Sequence, residues 1–244
     1  MMAVPYSVFP YTNVTPQEAC ICEPVSCVIH SVETVNPQFG DACVIIGAGI
    51  MGLLHTQLCV KKGCLVIVVD MKEDRLEMAA SMGAHYTINP HKEHAERNIM
   101  KITHGRKAQA VFDTTPAAGI VEEACRYVGH MGKLMIYSGI YPNKPVQMDA
   151  HWIRKGSIQI LGTARIPMTS DFMRAACMIS EGIHRRKAIY QRCLTLVEEV
   201  SQRIGIILSG KTHSETLSHS ASSHKEEQHA SYNKRTALCR KRRE

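Results

Sequence analysis

An α/β fold, with six parallel strands doubly wound by helices, is what this 244-residue sequence predicts. Three observations lead there. Short, largely β-branched apolar runs recur between Cys43 and Leu161. Longer amphipathic stretches of helical period separate them. Gly63, Gly83 and Gly105 close three of those stretches, where a helix C-terminus favours a residue tolerant of positive φ.

The elements follow in order. Cys43–Ile46 is apolar throughout, as suits a strand covered on both faces of a parallel sheet. A helix over Met51–Lys62 leads to the second strand, Leu65–Val69. Glu73–Met82 reads as a helix and Tyr86–Ile88 as a short third strand. His94–Thr103 is helical, Ala110–Asp113 is the fourth strand, and Ala117–Val128 is the next helix. Leu134–Tyr137 gives the fifth strand, Asp149–Lys155 a short helix and Ser157–Leu161 the sixth strand. A helix over Ser170–Glu181 ends at Gly182. Alternation of strand and helix means βαβ units. The domain is expected over residues 33–182.

Charge divides the chain. Residues 1–181 carry 16 basic and 16 acidic side chains, whereas residues 182–244 carry 13 basic and 6 acidic. The formal excess of +7 therefore belongs to the C-terminal stretch. From Ser209 that stretch is rich in Ser, His, Lys and Arg, a composition expected to stay disordered. Gln191–Ile207 has some helical period. The closing Cys239-Arg-Lys-Arg-Arg243 has no aromatic interleaving, so it reads as a solvated tail ahead of a nucleic-acid patch. No apolar run is long enough for a transmembrane helix, and the N-terminus lacks the basic-then-apolar order of a secretory signal. Ten scattered Cys, several inside apolar segments, suggest reduced thiols and a cytoplasmic protein.

The chemistry concentrates in Gly47-Ala-Gly49-Ile-Met-Gly52, entered by a strand and left by a helix. In a GxGxxG turn the first glycine makes the bend and the second leaves room for a pyrophosphate. The third allows close packing of the helix. The helix N-terminus at Ile50 and Met51 then offers free N–H groups to the phosphates. Asp70 ends the second strand, 18 residues after Gly52. A carboxylate there accepts ribose hydroxyls and repels a 2′-phosphate, favouring NAD over NADP. A strand-end turn or helix cap is its other reading. Arg75 is near enough to cover the adenine or meet a phosphate. Ligands of open α/β sheets lie beyond the carboxyl ends of strands. That directs attention to Thr114 and Thr115, Ser138 and Gly139, and Gly162 and Thr163 for the nicotinamide half.

On these residues the sequence resembles the medium-chain, zinc-type alcohol dehydrogenases, above all the sorbitol and threonine dehydrogenase branch. The matching pieces are Glu23-Pro-Val-Ser-Cys27, Phe39-Gly-Asp41, the glycine turn, Asp70-Met-Lys-Glu-Asp-Arg75, Met82-Gly-Ala84 and Tyr137-Ser-Gly-Ile-Tyr-Pro142. The resemblance implies a Rossmann cofactor domain, NAD as cofactor, a small alcohol or polyol as substrate, and homo-oligomers paired through the last strand. It also implies a catalytic zinc with Glu23 as an associated residue. The family's zinc-ligating Cys, Gly-His-Glu motif and four-Cys structural site have no counterpart here, and Cys20, Cys22 and Cys27 have the wrong spacing for the last of these. The expectation is therefore an NAD(H)-binding portion with an incomplete catalytic domain and no zinc of its own. Residues 1–32 are its linker or remnant, and residues 183–244 an atypical basic tail. A non-catalytic NAD(H)-binding or dimerising module is the alternative. Short-chain dehydrogenases are set aside because no Tyr has Lys four residues later, and a P-loop because Gly210-Lys-Thr212 lacks its preceding glycine.

Overall fold

The computed structural model describes residue 19, residues 21–163 and residues 169–180, all within one compact unit that runs to Arg192. The expected basic tail, the helix over Gln191–Ile207 and the C-terminal Arg-Lys cluster lie outside the described residues. Six strands form one sheet. They are β1 (Ala42–Ile46), β2 (Leu65–Val69), β3 (Tyr86–Ile88), β4 (Ala108–Asp113), β5 (Val128–Ile136) and β6 (Gln159–Gly162). Every pairing is parallel and the order is β3-β2-β1-β4-β5-β6. The chain thus starts in the middle, winds one way to β3 and returns to wind the other way. The switch lies between β1 and β4.

The helices among the described residues are α1 (Cys22–Val35), α2 (Ile50–Lys61), α3 (Glu73–Ser81), α4 (Ala95–Ile102), α5 (Ala118–Tyr127), α6 (Ala150–Gly156) and α7 (Thr169–Ser180). All five residues of β1 are buried, which explains its uninterrupted apolar run. Val44, Ile46, Ile67, Val69 and Val111 share one core cluster with Ile99 of α4 and with Val121, Ala124 and Tyr127 of α5. Phe112 alternates with Val111 and so points to the other face, where its ring lies 5.0 Å from the His55 ring of α2.

The glycine caps work as expected at two helices. Gly63 (φ 77°) and Gly83 (φ 104°) are left-handed. Cys64 N–H donates to Cys59 O and Ala84 N–H to Ala79 O, the six-to-one bond of a Schellman turn. At α4 the left-handed step begins one residue earlier, at His104 (φ 53°), ahead of Gly105 (φ 80°).

Two regions depart from the expected pattern. The first is α1, placed where a linker was expected and crossing the expected domain start at Glu33. Its buried Val25, Val28, Ile29, Val32 and Val35 recur at helical spacing, and Pro24 sits in the first turn, where no N–H is needed. Glu33 and Arg174, and His30 and Asp171 at 3.3 Å, tie it to α7. The second is β5, which begins at Val128, not Leu134. Pairing runs from Ala108↔Val128 to Ala110↔Lys133, so extra residues bulge out between. Met131 takes φ 57° there.

Candidate dinucleotide site

The site is built at the carboxyl ends of β1, β2 and β4, where Ile46 pairs with both Val69 and Asp113. Gly47 follows β1 at φ 90° and donates its N–H to Val69 O (2.8 Å). A Cβ on Gly47 would sit 2.9 Å from Thr114 Oγ1 and 2.9 Å from Thr115 Cγ2. A Cβ on Gly52 would sit 1.8 Å from Gly47 O, a distance no side chain survives. The third glycine therefore serves the turn's own carbonyl as much as the helix–sheet packing expected of it. Gly49 is the opposite case, since a Cβ there meets nothing within 4 Å. It is the N-cap of α2, has no side-chain cap, and no acidic residue occupies the first turn. Leu53 N–H makes the first intrahelical bond, to Gly49 O (2.9 Å). The amides of Ile50, Met51 and Gly52 are thus donors that no carbonyl of the helix can reach. Together with the helix dipole they suit an anion.

Asp70 is buried beside this turn. Its Oδ2 accepts the Ala48 N–H at 2.7 Å and its Oδ1 accepts the Lys72 N–H at 2.8 Å. Arg75 Nη1 lies 3.7 Å from Oδ2. These bonds give Asp70 the strand-end turn role. It ends the strand and anchors the glycine turn, and each oxygen keeps a further lone pair for a ligand hydroxyl. Arg75 Nε is buried and has no acceptor among the described residues.

On the β4 side, Thr114 N–H donates to Ile46 O (3.0 Å), and its hydroxyl lies 2.8 Å from Ile46 O and 3.2 Å from Gly47 O. Its role here is to clasp the glycine turn. Asp113 is 1% exposed. Its Oδ1 accepts both the Thr115 N–H (2.9 Å) and the Thr115 hydroxyl (2.6 Å), while Oδ2 is buried without a partner among the described residues. Burial raises the pKa of this carboxyl from its ordinary value, partly offset by the two bonds from Thr115. The Asp113 carbonyl accepts N–H groups from Tyr137 (3.0 Å) and Ser138 (3.3 Å). Ser138 is thereby joined to the site, and exposed Gly139 follows it. Half-buried Thr163 follows β6, whose Gly162 pairs with Ile136, at the same end of the sheet. Asp113 was not singled out from sequence. Its only signal is an ionisable residue closing an otherwise apolar strand.

Beneath α2, His55 is fully buried. Its Nδ1 lies 2.7 Å from Met51 O and so carries the proton, leaving Nε2 to accept from the Ser31 hydroxyl of α1 at 3.0 Å. Burial lowers its pKa to about 4.

Among the described residues the zinc implied by the resemblance finds no donor set. Glu23 is exposed in the first turn of α1, where the Cys27 thiol donates to its Oε1 at 3.1 Å. Among the described residues no three His, Cys, Asp or Glu side chains gather in a geometry able to hold a metal ion. One carboxylate cannot supply the three protein ligands of a catalytic zinc. No described helix is long and apolar enough to cross a membrane.

Comparison with known proteins agrees with this geometry. A family model described as zinc-binding dehydrogenase matches residues 51–181. A zinc-type alcohol dehydrogenase-like protein of Haemophilus influenzae is 27% identical over 76% of this chain and 53% of its own length. D-arabinitol dehydrogenase 1 of Uromyces fabae is 31% identical over 72% of this chain and 51% of its own. The chain thus spans about half the length of the curated relatives it matches. Among solved structures, one described as a short chain alcohol dehydrogenase from Escherichia coli CFT073, complexed with NADH, superposes with TM-score 0.64 at 22% identity, covering 71% of this chain and 50% of that one. The strand order, the glycine turn and the matched span agree, and the chain belongs to the zinc-binding dehydrogenase family.

Proposed function

We propose that this chain binds a nicotinamide dinucleotide, as the NAD(H)-binding portion of a dehydrogenase acting on a secondary alcohol or polyol. The reading is carried by the contrast between two glycines. Gly52 is required by the protein's own backbone, whereas Gly49 faces open space beside uncapped amides. A glycine that no protein atom demands suits a backbone that must let a ligand approach. The pyrophosphate takes the Ile50, Met51 and Gly52 amides. Asp70 takes the adenosine ribose and disfavours a 2′-phosphate, with the Arg75 guanidinium beside it to cover the adenine or meet a phosphate. Ser138, Gly139 and Thr163 line the nicotinamide half. When bound, the nicotinamide supplies the hydride chemistry. The arabinitol enzyme of Uromyces fabae supports the polyol class, and solved structures of similar fold in complex with NADH and with NADP support a nicotinamide dinucleotide without choosing between the two.

Residues 33–182, extended to include α1, form the cofactor portion in this reading. The outer strand β6 pairs only with β5 among the described residues, and its other edge would serve for pairing with a second copy. Free, buried Cys43, Cys59 and Cys64 suit a reducing cytoplasm. The test is a fluorescence titration of the full chain with NADH and NADPH. Saturable binding with NADH preferred is expected, and Asp70→Ala should weaken it about tenfold or more. Failure to bind either cofactor would sink the reading. Turnover of polyols with added zinc then tests the catalytic half separately.

A further inference from the structure

We propose that Asp113 is a positioning residue of the dinucleotide site, holding Thr115 against Gly47 and so fixing the turn that carries the phosphate-facing amides. The inference rests on the cofactor reading above and extends it to a residue beyond the glycine fingerprint. Three observations carry it. First, Asp113 Oδ1 takes both the backbone N–H and the hydroxyl of Thr115, which sets that residue's backbone and rotamer together. Second, the Thr115 methyl is one of the two groups that crowd Gly47, 2.9 Å from where a Cβ would stand, with the Thr114 hydroxyl at the same distance. Gly47 is at φ 90°, so the turn has no side chain of its own to lock it and depends on what lies against it. Third, the Asp113 carbonyl holds the Tyr137 and Ser138 amides, so one residue joins the glycine turn to the β5 loop.

The remaining oxygen sharpens the case. Oδ2 is buried with no donor among the described residues, a costly arrangement for a residue kept for stability alone. Asn would keep the Oδ1 contacts without burying a charge. Unsatisfied buried carboxyls with raised pKa values concentrate at functional sites. The carbonyl contacts survive any substitution, so side-chain variants isolate the link to Thr115.

The experiment compares Asp113→Ala, Asp113→Asn and Thr115→Val in the full chain. NADH affinity is read by fluorescence, and ligand-free amide hydrogen exchange is read at Gly47 and Ala48. Asp113→Ala should weaken NADH about tenfold and speed exchange at both amides. Asp113→Asn, which keeps the Oδ1 acceptor, should stay within about threefold of the parent, and Thr115→Val should fall between. Asp113→Ala binding like the parent, or Asp113→Asn falling as far as Asp113→Ala, would overturn the proposal. If Asp113→Ala does not fold, Thr115→Val with parental affinity and parental exchange overturns it instead. The exchange measurement needs no cofactor. It therefore separates failure of the positioning role from failure of the parent chain to bind NADH.

Discussion

Two aspartates flank the end of β1, and the protein treats them differently. Asp70, after β2, has a backbone N–H on each oxygen and a guanidinium 3.7 Å away. Asp113, closing β4, has two bonds on one oxygen and none on the other. Both are buried, and both reach the same glycine turn. The Asp70 carboxylate binds the turn directly, through the Ala48 N–H. The Asp113 carboxyl acts through Thr115. An aspartate with a buried oxygen that no described residue meets is held at a cost, and the cost marks where the strand end serves the turn more than the core.

The comparison can be broken at several points. The largest effects belong to the turn itself. Gly52→Ala puts a Cβ 1.8 Å from Gly47 O, so both melting temperature and NADH binding should collapse, the latter by about 100-fold or more. Gly49→Ala meets nothing within 4 Å, so thermal melting should match the parent while NADH affinity falls steeply. A large stability loss in Gly49→Ala would mean the open space is not what the geometry indicates. Next comes core packing below the site. Phe112→Ala empties a fully buried aromatic position and should cost about 3–5 kcal/mol by denaturant unfolding.

Amide replacement separates the aspartates. Asn at position 70 turns one acceptor into a donor facing an N–H, which should cost about 1–3 kcal/mol. Asn at position 113 places its NH₂ where no donor points, so thermal stability at pH 7 should hold or rise. The sign follows from the raised pKa of Asp113. Its contribution is present below the unfolded value of 3.8 and is lost as pH rises through the folded value. The gain from Asp113→Asn should therefore appear at neutral pH and vanish in acid. Equal losses for the two Asn variants would erase the distinction.

His55 gives an effect of opposite sign. Its folded pKa of about 4 lies below the ordinary 6.5, so its contribution is full above pH 6.5 and lost as pH falls towards 4. The loss should total about 3 kcal/mol and be absent in His55→Phe, as read from unfolding curves across that range.

Much of this was legible in the sequence because the signals are local. A glycine at φ 90° or one under a carbonyl is dictated by backbone sterics, and Asp70 follows from strand length and spacing. The strands were readable because burial on both faces leaves uninterrupted apolar runs. Other features depend on partners distant in sequence. The apolar spacing of α1 was present from Val25 to Val35, but its helix is justified by packing on α2, β5 and α7. The start of β5 needed the bulge against β4, which no local propensity announces. The unpartnered oxygen of Asp113 exists only once Thr115 and the β5 loop are in place.

Amide chemical-shift mapping of the full chain during an NADH titration tests the central claim most directly. The account predicts the largest changes at Gly47 to Gly52 and at Asp70, with smaller ones at Thr115 and Ser138. Saturable binding that leaves the Ile50, Met51 and Gly52 amides unmoved, or no binding at all, would contradict it.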